Sequence, residues 1–289
     1  MVECYGNPGQ AKNYATMDLA EYVKSQISLS PGAYFRYRAK FRLLKNFLKP
    51  AQGDVVLDAA CGPGHYAVNL SDCCKAVCGV DINPPIIEFA LEYKKSAGAK
   101  NAFFSTGDVS ALEFGDAYFD KAFAMDFMEH VADPLKCMGE FNRVLKPAGK
   151  LVVFTGFIPE SKKRLRRTLL EDDCHGHVSL YSESEFAELA EKSGFAVRKF
   201  VVYGQFFMPI ARRVVSFVRP AREKMFEEAK YGRPPSPGKA LEIKRPNAIG
   251  KLFWLLEGSV EMLDPLLFGK RFCRPAGGFA LLEKNKELK

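Results

Sequence analysis

The sequence predicts an α/β fold, a doubly wound and mostly parallel sheet with helices on both faces. Three observations carry that reading. Apolar runs of strand length alternate with amphipathic segments over roughly residues 50–205, as a parallel sheet covered on both sides requires. The helical segments open on start signals, Asn83-Pro84, Asp133-Pro134 and the capping box Ser182-Glu183-Ser184-Glu185. The first apolar run also passes through two glycines directly into a helix. That is the place where a doubly wound sheet holds a ligand beyond a strand's carboxyl end.

In chain order, residues 1–33 are polar and close on Pro31-Gly32. Ala33 to Leu48 then has helical periodicity: Phe35, Phe41, Leu44 and Phe47 fall near one face, with Arg36, Lys40, Arg42 and Lys45 mostly off it. Val55-Val56-Leu57-Asp58-Ala59-Ala60-Cys61-Gly62-Pro63-Gly64-His65-Tyr66 reads as a buried strand, a tight loop and a helix start. Its glycines let the backbone approach a ligand closely, and the helix start faces that ligand with free N–H groups. The next run, Lys75 to Val80, ends in Asp81, 23 residues after Asp58, the separation at which an acid meets a ribose diol. Asn83-Pro84 opens a helix over Ile86 to Lys95, and Asp133-Pro134 opens another bearing Leu135, Met138, Phe141 and Leu145, with Gly149 as its stop. The capping box at Ser182, with Tyr181 and Phe186 as a staple, starts a helix that ends at Gly194. Phe195 to Tyr203 follows as a strand.

These motifs together resemble the class I S-adenosylmethionine (SAM) methyltransferases. Asp58-Ala59-Ala60-Cys61-Gly62-Pro63-Gly64 is similar to that family's Asp-x-Gly-x-Gly-x-Gly loop, with Ala60 where the first glycine usually stands. A nicotinamide fingerprint would instead cradle a pyrophosphate, which SAM lacks. Phe103 to Val109 resembles the third strand and its acid, Phe119 to Val131 the fourth strand with a Glu-His-Val turn, and Phe141 to Val153 the helix and fifth strand. The resemblance spans about residues 50–205 and implies a seven-stranded sheet whose last strand is antiparallel. Gly278 to Glu283 is the candidate for that strand. The implied organisation is an N-terminal helical lid (1–49), a SAM-binding core (50–203), a basic helical insertion (204–275) and the final strand (276–289).

The resemblance also implies roles. Asp58, Ala60, Gly62, Gly64, Asp81, Ile82, Asp108, Val109 and Asp126 would contact the cofactor. Tyr34 to Lys40 resembles the entry helix of bacterial glycolipid and surface-polysaccharide methyltransferases, in which Arg38 matches the arginine that faces the SAM carboxylate; a solvated arginine on a basic face is the alternative. Tyr14 would belong to an N-terminal lid, against the alternative of a flexible tail. Cys174-His175-Gly176-His177-Val178 resembles the stretch bordering the acceptor pocket, which makes His175 and His177 substrate-side candidates. His130, at the carboxyl end of the fourth strand, is the candidate general base for an alcohol or phenol acceptor, against a purely structural role.

Composition bounds the rest. The 289 residues are 47% hydrophobic and 26% charged, an ordinary globular balance. No apolar run reaches the length of a membrane span and the N-terminus has no secretory signal, which points to the cytoplasm. Eight dispersed cysteines then read as reduced thiols. Cys73, Cys74 and Cys78 lack metal-site spacing, and His175 and His177 lack an evident further ligand, so no metal is expected. Residues 204–275 carry fourteen basic and seven acidic side chains, which is +7 of the net +8. Two amphipathic stretches there, around Ile210–Val218 and Ile249–Leu263, suit packing on the core. Peripheral docking on an anionic membrane surface is the sharper reading. Nucleic acid is disfavoured: no RNA-binding signature is present, and Asp126-Phe127-Met128-Glu129 replaces the motif of amino-methylating DNA enzymes. The expected activity is SAM-dependent O-methylation of a small or amphiphilic acceptor, lipid-linked or aromatic. RNA or protein methylation through the basic insertion, and SAM binding without catalysis, are the competing readings. The sequence does not specify the oligomeric state.

Overall fold

The computed structural model describes residues 31–158, 177–203 and 276–285. Its order is α1 (Pro31–Leu48), β1 (Val55–Ala59), α2 (His65–Leu70), β2 (Ala76–Asp81), α3 (Pro84–Ala97), β3 (Ala102–Thr106), β4 (Phe119–Met125), α4 (Pro134–Val144), β5 (Leu145–Phe157), α5 (Glu183–Lys192), β6 (Phe195–Tyr203) and β7 (Ala276–Lys284). The seven strands form one sheet in the order β3-β2-β1-β4-β5-β7-β6. Strands β1 to β5 pair in parallel; β7 is antiparallel to both β5 and β6. The expected seventh strand is therefore present, wedged between the fifth and the sixth. Residues 204–275, Tyr14 and His175 lie outside the described residues.

Alternation along the strands divides the core in two. Leu57, Ala122, Leu151, Val153 and Leu282 face Met138 and Phe141 of α4 and Phe186 of α5. Val56, Phe123, Val152 and Phe279 face the other way, onto Leu44, Phe47 and Leu48 of α1 and Ala67 of α2. Helix α1 is thus seated on the sheet by its last two turns. No helix among the described residues is long and apolar enough to cross a membrane.

The helix starts follow the sequence signals with one exception. Asp133 accepts the Lys136 N–H, and Ser182 with Glu185 forms a reciprocal capping box whose flanking Tyr181 and Phe186 rings meet edge-on. Asn83 occupies the cap position of α3 without a side-chain hydrogen bond, so Pro84 at the first helical position carries that start. The end of α4 also differs from expectation. The helix stops at Val144 rather than near Gly149, and β5 begins at once. Two steps along β4, Phe119 to Lys121, are matched by five along β5, Leu145 to Lys150. Gly149 sits in this bulge because a Cβ there would lie 2.8 Å from the Lys146 carbonyl and 3.2 Å from that of Asp120. The glycine serves a close backbone approach rather than a helix stop.

Candidate functional site

The carboxyl ends of the parallel strands β1 to β5 line one edge of the sheet, and nearly all the sequence-predicted residues within the described segments gather there. After β1 the chain turns through three left-handed residues, Ala60 (φ 55°), Gly62 (φ 51°) and Gly64 (φ 78°). Gly64 has a second requirement, because a Cβ would meet the Phe104 ring at 2.6 Å. The loop is pinned to the neighbouring strand. Cys61 N–H donates to the Val80 carbonyl, and Gly62 N–H donates to Asp81 Oδ2 at 2.9 Å. The other Asp81 oxygen accepts the Asn83 N–H at 3.0 Å. Asp81 therefore holds the glycine loop in shape while remaining at the strand tip.

This end of the sheet is acidic, carrying Asp58, Asp81, Asp108 and Asp126. Asp58 is buried and its Oδ2 has no hydrogen-bond partner. Burial, with the nearby Asp81 charge adding, raises its pKa well above the usual value, against a backbone hydrogen bond from Ala67. Burial raises that of Asp81 as well, against the hydrogen bonds that favour its ionised form. Next to them Ile82 is 48% exposed, an apolar side chain left open at the tip of β2. Beyond β3, Asp108 is half-buried, with Oδ1 accepting the Ser110 N–H, and Val109 is buried. Two carboxylates that can accept from hydroxyl or amino groups, an open apolar surface and a buried acid with one unpaired oxygen suit a nucleoside ligand that carries positive charge. SAM has both features, so the residues present fit it.

Across the edge, α1 contributes a residue that the periodicity had placed off the packing face. Lys40 Nζ lies 2.7 Å from both oxygens of Asp126 and 4.0 Å from the centre of the Phe154 ring. Asp126 caps β4 in a left-handed conformation (φ 52°), its N–H donating to the Phe154 carbonyl. Arg38, two residues earlier on the same helix, is exposed. Tyr37 instead turns inward, donating its hydroxyl proton to the His65 carbonyl at 2.8 Å. The His65 ring packs edge-on to Tyr93, its Nε2 is buried without a partner, and burial lowers its pKa.

A third group lies just past Asp126, in a 3-10 turn, Met128–His130. Glu129 is 3% exposed, and its Oε2 accepts the Thr155 hydroxyl at 2.6 Å. Burial, with the Asp126 charge adding, pushes its pKa up to about 7; the Thr155 hydrogen bond and Lys40 oppose this. His130 stands beside His177, their ring centres 4.9 Å apart. Backbone bonds bring the two together, because the Glu129 carbonyl accepts from both Val178 (2.8 Å) and Ser179 (3.1 Å). The Tyr181 hydroxyl donates to the Met128 carbonyl at 3.1 Å. Sequence reasoning found both histidines and missed Glu129 and Lys40. The signal for Glu129 was Thr155, a lone hydroxyl inside the apolar run of β5.

Residues 33–199 match a family described as a methyltransferase domain. The chain is 34% identical over 108 residues to the O-methyltransferase cnsE of Penicillium expansum, covering 37% of this chain and 39% of that protein. It is 31% identical over 149 residues to the ubiquinone/menaquinone biosynthesis C-methyltransferase UbiE of Bdellovibrio bacteriovorus, covering 51% of this chain and 62% of that one. In both cases it spans less than two thirds of the relative. Among solved structures, the YcgJ protein of Bacillus subtilis superposes with a TM-score of 0.57 at 18% identity, over 87% of this chain and 99% of that one.

Proposed function

The chain belongs to the methyltransferase-domain family, and from that premise we propose that it transfers a methyl group from SAM to an oxygen of a small or amphiphilic acceptor. The observation that carries the reading is the left-handed glycine loop hydrogen-bonded to Asp81, beside the buried Asp58 carboxylate with its unpaired Oδ2. Asp81 and Asp108 would accept from the hydroxyls and amino group of the nucleoside, with Ile82 and Val109 providing apolar contact. Asp58 and Asp126 would face the positively charged end. Bound SAM supplies a methyl group on a cationic sulfur with a neutral thioether as leaving group. A cation placed there also relieves the mutual repulsion and poor solvation of Asp58 and Asp81.

The protein's remaining task is to align an acceptor oxygen and remove its proton. The Glu129–His130–His177 group lies past the tip of β4, which we read as the acceptor side, and His130 would take that proton there, worth about 10²–10⁴ in rate. The charge excess of residues 204–275 supports peripheral contact with an anionic membrane, where an amphiphilic acceptor would be met. Radiolabelled SAM incubated with the protein and a cell extract, then split into organic, aqueous, RNA and protein fractions, tests this. Label in the organic or small-molecule fraction is expected. Label in RNA or protein would make the basic stretch a macromolecular dock, and SAM binding with no transfer would leave a binding protein.

A further inference from the structure

Glu129, His130 and His177 each offer one ligating atom, and these atoms all lie within 4.8 Å of one another. The sequence alone sets a metal aside, because the pair His175 and His177 lacks an evident further ligand. The fold brings His177 across to a different pair, a carboxylate and an imidazole that are adjacent in sequence. We propose that these three side chains bind a divalent first-row transition metal, of the zinc, iron(II), manganese(II) or cobalt(II) class.

Four observations support the site. Two imidazoles and one carboxylate form a mixed nitrogen and oxygen donor set suited to such metals, and three ligands leave coordination positions open. The Glu129 carboxylate is fixed from behind by the Thr155 hydroxyl at 2.6 Å, the outer hydrogen bond that orients a ligating carboxylate. The segment carrying His177 is clamped to the same residue through the Val178 and Ser179 N–H groups, so the site is assembled by the backbone. Glu129 is also a buried acid, and Lys40, whose charge acts on it, is engaged with both oxygens of Asp126. A buried carboxylate calls for a counter-charge.

Donor atoms held about 2.1 Å from one metal are separated by roughly 3.0–3.4 Å, so rotation of the half-buried imidazoles has to close the present spacing. The open positions would take an oxygen of the acceptor, such as a phenol, enol or vicinal diol. On the metal, the O–H bond of that group breaks more readily: the proton passes to water and the electron pair stays on oxygen as the nucleophile. His130 is then a ligand rather than the proton acceptor. That consequence rests on the acceptor-side reading given above; the metal site itself does not.

Untagged full-length protein, stripped with chelator, is titrated with Co²⁺ and followed by visible absorption. One equivalent should give a saturating d–d band, with affinity lowered at least about tenfold in His177→Ala and in His130→Ala. Glu129→Gln is expected to weaken binding too, but its burial can compromise folding, so the half-buried histidine variants decide, with far-UV circular dichroism confirming their fold. No band in the wild type, or unchanged Co²⁺ affinity in both histidine variants, overturns the proposal. Calorimetric binding of S-adenosylhomocysteine to the same samples reads the methyltransferase assignment separately, so either can fail alone.

Discussion

Ala60 shows what one methyl group costs at a place shaped for glycine. Its φ of 55° is a conformation in which a Cβ crowds the following carbonyl, at about 1–2 kcal/mol. The Ala60→Gly variant should be more stable by about 1 kcal/mol, since part of the relief is offset by glycine's greater unfolded-state freedom. In a thermal melt that is a rise of roughly 2–4 °C. A lower melting temperature would mean that the methyl group packs to advantage and the strain argument fails. The residues around Ala60 were legible because spacing identifies them: two glycines after a strand, then an acid 23 residues beyond Asp58. Lys40 was not. Helical phase put it off the packing face, yet its long stem carries the ammonium over the Phe154 ring and onto Asp126. Periodicity describes where a side chain starts and not where its charged end finishes.

At the scale of elements, β7 makes the most exacting fit. A Cβ on Gly277 would sit 2.1 Å from the tip of the Phe154 ring, the same ring that lies under Lys40. Gly277→Ala should therefore cost about 1–3 kcal/mol through overpacking, read as a lower urea midpoint with an unchanged slope. An unaltered midpoint would show that Phe154 can swing aside freely. Strand and helix existence was readable almost throughout, because burial on one or both faces imposes a period. The failures sit at boundaries. Gly149 looked like a helix terminator, and the need it meets is a close approach of β4 and β5 backbones that no local pattern announces. The trio Glu129, His130 and His177 was half legible for the same reason: 129 and 130 are neighbours in sequence, and 177 joins them only through the tertiary hydrogen bonds of Val178 and Ser179.

For the molecule as a whole, the strand order makes the core depend on residues far apart in the chain. β7 pairs with β5 along eight positions and with β6 on its other side, and it supplies Phe279 to one core face and Leu282 to the other. A chain ending at residue 275 would leave β6 without its partner in the sheet, turn β5 into an open edge and uncover both core faces. It should lack a cooperative thermal transition by circular dichroism, whereas a melt like that of the full chain would show that the parallel strands suffice. The same arrangement has a consequence for variation. Tyr203, at the end of β6, is paired with Gly277, near the start of β7, so the 73 residues between them leave and re-enter the sheet at adjacent strands, about 5 Å apart. Strand pairing itself asks of that excursion that its two ends meet. It departs from and returns to the same edge where Asp58, Asp81 and Glu129 are held, while the register that fixes those residues is set by the strand pairs alone.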